Sequence, residues 1–203
     1  MVIGGNYMMK KGLLLISIIP LLLLVACGGG EGSTDEKIII QAGHVVDDNH
    51  PYQHGLEKFK EIVEKELEGR IEIEIYHSGQ LGEDRVTIEG MQMGSVDMAV
   101  TSSAPLSGFI PEIGVFELPY LFDSNDHAFE ILDGEVGDYY LDLLKEKGII
   151  GLGYFENGFR HITNSKRPIE NPEDLNGIKI RVMENQVAVE TFKTVGANAT
   201  PMA

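Results

Sequence analysis

Lys37 to Ala42 (KIIIQA) is a continuous run rich in β-branched residues, the form a strand takes when both faces are covered. After a polar loop from Gly43 to Pro51, apolar side chains recur at Tyr52, Leu56, Phe59, Ile62, Val63 and Leu67. That spacing is close to 3.6 residues and predicts a helix from Tyr52 to Leu67, stopped by Gly69. Ile71, Ile73 and Ile75 alternate with Glu72 and Glu74, a second strand with one wet face. A turn at Ser78 to Gly82, a helix from Glu83 to Met93 and a short buried strand at Asp97 to Val100 follow. This β-α-β-α-β order predicts a largely parallel sheet. Prolines and glycines between Pro105 and Phe122 forbid one long helix there and predict a packed irregular segment. Helices are expected from Ser124 to Leu132 and from Glu135 to Lys147, then an apolar strand from Ile149 to Phe155. Ile178, Ile180 and Val182 alternate with Lys179 and Arg181, so a further strand has an apolar face and a cationic one. A helix from Asn185 to Val195 and a strand beginning near Asn198 close the series.

The 203 residues are 43% hydrophobic and 24% charged, an ordinary globular balance. Charge changes the picture more: 16 basic against 32 acidic residues give −16, which argues against a nucleic-acid partner, since no basic stripe is present. Residues 1–26 read as targeting rather than fold. Met9-Lys10-Lys11 is a basic start, Leu13 to Val25 an apolar core too short to span a bilayer comfortably, and Leu24-Val25-Ala26-Cys27 a processing site. Cys27 is the sole cysteine, so no intrachain disulfide forms. Its setting resembles a bacterial lipobox, which implies cleavage before Cys27 and lipidation of its sulfur and new amino terminus. Loss of Lys10 and Lys11 with the leader leaves −18, and residues 27–37, rich in Gly and Ser, form a flexible tether. The expectation is an exported protein, lipid-anchored at the cell membrane and facing the periplasm or the exterior.

Arg181 lies near the carboxyl end of its strand, where open α/β sheets bind ligands. A planar, permanently charged guanidinium there suits a carboxylate, although a solvated strand-end arginine has the same local sequence. Asn164 and Asn185 could donate hydrogen bonds to ligand oxygens, and asparagine equally serves turns and helix starts. His50 and His54 stand four apart with His44 nearby, which raises the alternative of a metal-capturing lipoprotein, although Pro51 falls between them. The chain has no G-x-S-x-G elbow, phosphate-binding P-loop or H-E-x-x-H, and its only cysteine is assigned to lipid, so no enzyme is expected.

Taken together, Gly43-His44 with His50-Pro51, Gly79-Gln80-Leu81-Gly82-Glu83-Asp84-Arg85, Gly94-Ser95-Val96-Asp97-Met98, Leu118-Pro119-Tyr120-Leu121-Phe122 and the Arg160…Asn164…Arg181 stretch resemble the DctP-type solute-binding proteins of TRAP (tripartite ATP-independent periplasmic) transporters. The resemblance runs from Ile38 to Ala203 and implies an α/β, two-lobed periplasmic-binding-protein-like (Venus flytrap) fold. It places residues 38–157 in a nearly complete first lobe and 158–203 in a partial second lobe. It implies capture of an organic-acid anion, possible C4-dicarboxylates included, for a two-component TRAP permease, with no cofactor. Arg181 would clamp the carboxylate and Arg160 add a second cationic contact. Asp84 would lie near the ligand, although Glu83-Asp84 inverts the acidic order frequent in that family. The chain stops at Pro201-Met202-Ala203 inside an αβ unit, so a continuation of the second lobe is expected.

Overall fold

A computed structural model describes residues 37–203. The leader, Cys27 and the tether up to residue 36 lie outside the described residues. Strand β1 (Ile38–Gly43), helix α1 (Pro51–Glu66), strand β2 (Ile71–Tyr76), helix α2 (Asp84–Met93) and strand β3 (Met98–Ala99) build the first lobe's sheet. Its order is β2-β1-β3, all parallel, with Ile38 opposite Ile71 through Gly43 opposite Tyr76, and Ala42 opposite Met98.

Helix α1 starts where the His50 ring accepts the Tyr52 N–H at 3.2 Å and Pro51 supplies a pre-set φ. It ends where Glu68 and Gly69 both turn left-handed, with φ of 52° and 74°. Tyr52, Leu56, Phe59 and Val63 form the stripe that packs on Ala42, Ile73 and Val100. Complete burial of a side chain such as Leu56 stabilises by about 1.5–3 kcal/mol. The wet face of α1 also reaches the sheet. Lys60 Nζ donates to the Ile73 carbonyl at 2.6 Å and Glu64 Oε1 accepts the Ile73 N–H at 2.9 Å, so two side chains occupy the outer edge of β2.

Beyond β3 the chain forms a single turn α3 (Ser103–Leu106) and a 3₁₀ segment (Pro111–Glu117), the irregular packing that its prolines dictate. Helices α4 (Asn125–Leu132) and α5 (Glu135–Leu143) follow, α5 running into a 3₁₀ turn (Leu144–Lys147) that left-handed Gly148 stops. Ile110, Ile113 and Leu144 are the buried centre of this second cluster. Farther along, a 3₁₀ turn (Pro172–Leu175), strand β4 (Lys179–Val182), helix α6 (Gln186–Thr194) and strand β5 (Asn198–Pro201) give a parallel pair, Lys179 opposite Asn198 through Val182 opposite Pro201. Among the described residues, no helix is long and apolar enough to cross a membrane.

Three expectations differ from the structure. Strand β1 is not covered throughout: Ile38 and Ile39 are more than half exposed, because β3 pairs only with Ala42 and Gly43 and the first turns of α1 cover only the carboxyl half. For the same reason the third strand shrinks to two residues, and the Asp97 carboxylate accepts the Gln41 N–H at 2.9 Å where a longer strand would supply a carbonyl. Residues 149–155 form no strand, and Ile150 and Leu152 are 71% and 68% exposed. A strand needs a ladder partner, and none of the described residues offers one. Side chains hold this crossing segment instead. Tyr154 donates to the Gly137 carbonyl at 2.8 Å, Asn125 donates to Glu156, and Phe155 meets Tyr52 edge-on at 5.8 Å. Phe155 fits because Gly55 opens a notch in α1, where a Cβ would come within 2.3 Å of the ring.

Candidate functional site

The carboxyl ends of β1 and β3 and the amino termini of α1 and α2 meet on one side of the first sheet. His44 follows β1 directly and is buried. Its Nε2 lies 2.8 Å from Gln53 Oε1, and the Gln53 amide nitrogen donates to Glu57 at 2.9 Å. Asp84 opens α2, is likewise buried, and accepts the Ser102 N–H through Oδ2 at 3.3 Å. Burial raises the Asp84 carboxyl above its ordinary range, partly offset by the Ser102 hydrogen bonds. Tyr52, in the first turn of α1, senses both signs of charge. Burial, reinforced by Asp84 and opposed by Arg160, pushes its phenol up to about 12.

Arg160 reaches this neighbourhood because Phe155 is seated on α1 five residues earlier. It is exposed and lines, with Asn157, Gly158 and Phe159, a surface hollow of about 190 Å³. Its guanidinium lies 3.3 Å from the Met183 sulfur, two residues beyond Arg181 on β4. A larger hollow of about 240 Å³, among Phe116, Phe122, Ile131 and Tyr140 with His127 at its wall, is mainly apolar and has no lysine or arginine in its lining.

The remaining arginines among the described residues are engaged. Arg70 donates to the Leu67 carbonyl; Arg85 pairs with Glu89 at 3.1 Å and lies over the Phe109 ring. Arg167 donates three hydrogen bonds, to the carbonyls of Asp174 and Asn176. Only Arg160 and Arg181 have neither a carboxylate nor a carbonyl partner among the described residues, and both are exposed.

The two asparagines hold backbone. Asn164 Oδ1 accepts the N–H groups of Lys166 and Arg167 at 2.8 and 3.0 Å, fixing a turn. Asn185 is 4% exposed; its oxygen caps α6 by accepting the Ala188 N–H, and its amide donates to the Ala104 carbonyl and the Ser107 hydroxyl. The histidines do not converge: His44 is buried beside Gln53, His50 caps α1, and His54 faces Glu57 at 3.5 Å on the surface. The described residues contain no group of three or more metal-ligating side chains, so the metal alternative finds no support. Sequence reasoning passed over His44 as a polar contact, and over Tyr52, Gln53 and Ser102. The position of His44 at a strand's carboxyl end was the available signal.

A family model described as DctP, bacterial extracellular solute-binding protein, family 7, matches residues 42–203. The sugar acid binding protein DctPAm from Advenella mimigardefordensis, solved with galactonate, is 44% identical with a TM-score of 0.79, covering 82% of this chain and 54% of that one. A TRAP periplasmic solute-binding protein from Polaromonas sp. JS666, bound to D-erythronate, is 40% identical with a TM-score of 0.79, covering 82% and 55%. The C4-dicarboxylate-binding protein DctB of Bacillus subtilis is 36% identical over 167 residues, which is 82% of this chain and 47% of that protein. The chain spans about half the length of the curated relatives it matches.

Proposed function

The chain belongs to bacterial extracellular solute-binding protein family 7, and from that premise we propose that it captures an organic-acid anion outside the cytoplasm and presents it to a two-component TRAP permease. The observation that carries this reading is the pair of arginines, Arg160 and Arg181, without carboxylate or carbonyl partners among the described residues of a chain of net charge −16. With acidic side chains so abundant, two guanidiniums left without one suit an incoming carboxylate. Arg181 supplies the principal clamp, Arg160 a second contact, and Asp84 faces the rest of the ligand. Asn164 and Asn185 contribute by fixing the turn ahead of β4 and the start of α6, which hold the arginine-bearing segments in place. Binding proceeds without turnover of the ligand.

Similar proteins bind galactonate, D-erythronate and C4-dicarboxylates, which supports an organic acid as the ligand. Lobes divided near residue 157 close on it, each carrying part of the site. Cys27 carries lipid, so the body stands off the membrane on the tether; labelled palmitate incorporation that Cys27→Ser abolishes is the expected result. The central test is calorimetry against galactonate, erythronate, glucuronate and succinate with the unmodified chain and with Arg181→Ala. Binding that Arg181→Ala removes without unfolding the protein supports the reading, and equal affinity in that variant overturns the site.

A further inference from the structure

Two Asn-Gly steps lie among the described residues, Asn157-Gly158 and Asn176-Gly177, and both are exposed. Asparagine is chemically labile, most of all before glycine, whose missing side chain leaves its backbone nitrogen uncrowded. That nitrogen attacks the asparagine Cγ, a new C–N bond forms, and the amide nitrogen leaves as ammonia, closing a succinimide ring. One water then adds to either ring carbonyl and breaks its bond to nitrogen, giving an aspartyl or an isoaspartyl residue. The reaction needs a free glycine nitrogen, space for the side chain to fold back onto it, and water. The reacting atoms must approach to about 3–3.5 Å.

The fold separates the two steps. The Gly177 N–H donates to the Gly196 carbonyl at 2.9 Å, and Arg167 donates to the Asn176 carbonyl at 2.8 Å. The Asn176 side chain is packed on Gly196, where an added Cβ would stand 3.2 Å from Cγ. By contrast, neither the Gly158 N–H nor the Asn157 side chain has a hydrogen-bond partner among the described residues. Gly158 turns left-handed with φ of 74°, and nothing beyond its chain neighbours lies within 4 Å of where a Cβ would be. Both residues line the surface hollow of about 190 Å³ that Arg160 also lines. We infer that Asn157 is a site of spontaneous deamidation, and that the carboxylate it produces takes the Arg160 guanidinium away from an incoming anion. Deamidation itself needs no ligand; its effect on affinity rests on the anion-binding reading above. An isoaspartyl product also adds one backbone atom between Phe155, seated on α1, and Arg160. Affinity then declines with the age of the molecule.

Peptide mapping by mass spectrometry after incubation of the full chain in mildly alkaline buffer tests the site. Asn157 is expected to convert at least about tenfold faster than Asn176, because only its reacting atoms are free to meet. In denaturant the two rates should converge. An unreacted Asn157, equal rates in the folded chain, or a gap that persists in denaturant overturns the assignment. Calorimetry with galactonate tests the consequence. Asn157→Asp should bind about tenfold more weakly than the unmodified protein, the loss of one charged contact. Asn157→Ser, which cannot close the ring, should hold its starting affinity through the incubation while the unmodified chain declines. Undiminished affinity in Asn157→Asp overturns the link to Arg160. If the unmodified chain binds neither galactonate nor erythronate, the anion reading fails and the link falls with it, while the peptide map still decides the deamidation.

Discussion

His44, just after β1, and Asp84, at the start of α2, are buried, each with one polar atom unpaired among the described residues, whereas Arg160 and Arg181 are exposed and have no acidic partner among the described residues. The first pair is positioned by the core: β1 and α2 begin or end at those residues, so desolvation is already incurred when the chain folds. The second pair stands in water, where screening limits its field to about 8 Å at physiological salt. Its attraction grows only when an anion excludes that water. On the proposed reading, the buried pair gives shape in advance and the exposed pair gives strength on contact.

The sharpest way to break this contrast is Arg181→Ala. Loss of a bidentate, charge-assisted contact predicts affinity for a hydroxy acid about 100-fold weaker by calorimetry. The melting temperature should barely move, because an exposed side chain with no partner among the described residues contributes within about 0.5 kcal/mol of stability. Arg160→Ala should cost about tenfold in affinity, one charged hydrogen bond. It should also move the Tyr52 phenol further up from about 12 in a tyrosinate absorbance titration, since Arg160 is the charge opposing that shift.

Asp84→Asn tests the buried side and should act on stability in the opposite direction. The folded carboxyl is raised above its ordinary 3.8, so the folded state holds its proton more tightly than the unfolded chain does. Stability from this group is fully present below 3.8 and is lost as pH rises through the folded value. The variant removes that loss and should be more stable at neutral pH by about 1 kcal/mol, with the gap closing in acid, in denaturant melts at several pH values. Asn164→Ala should have the smallest effect on affinity, about twofold or less, because its oxygen holds a turn 2.8 Å from the Lys166 N–H.

The helices and the first sheet were legible because α1 and β2 announce their buried faces through periods of 3.6 and 2. Residues 149–155 misled because an apolar run states which side chains want cover and not which backbone will pair with them. Ile38 and Ile39 misled similarly: β-branched composition marks a strand but leaves open how far its neighbours extend. Arg160, Arg181 and Asp84 were picked out by ordered motifs, and their part in binding is what the variants above test. That Arg167 is engaged while Arg160 is not depends on carbonyls of Asp174 and Asn176 folding back beneath it, which spacing does not encode. The contact of His44 with Gln53 was illegible too, since that glutamine stands nine positions away on another element.

Lys60 and Glu64 give the first sheet a direction. With the outward amide and carbonyl of Ile73 already occupied, a stray strand from a second molecule finds no free rung at the middle of that border. The opposite flank, beside the two-residue β3, has no such pair of side chains on it among the described residues. Protein at high concentration would then resist zipping edge to edge along β2, a safeguard written by two charges on a helix.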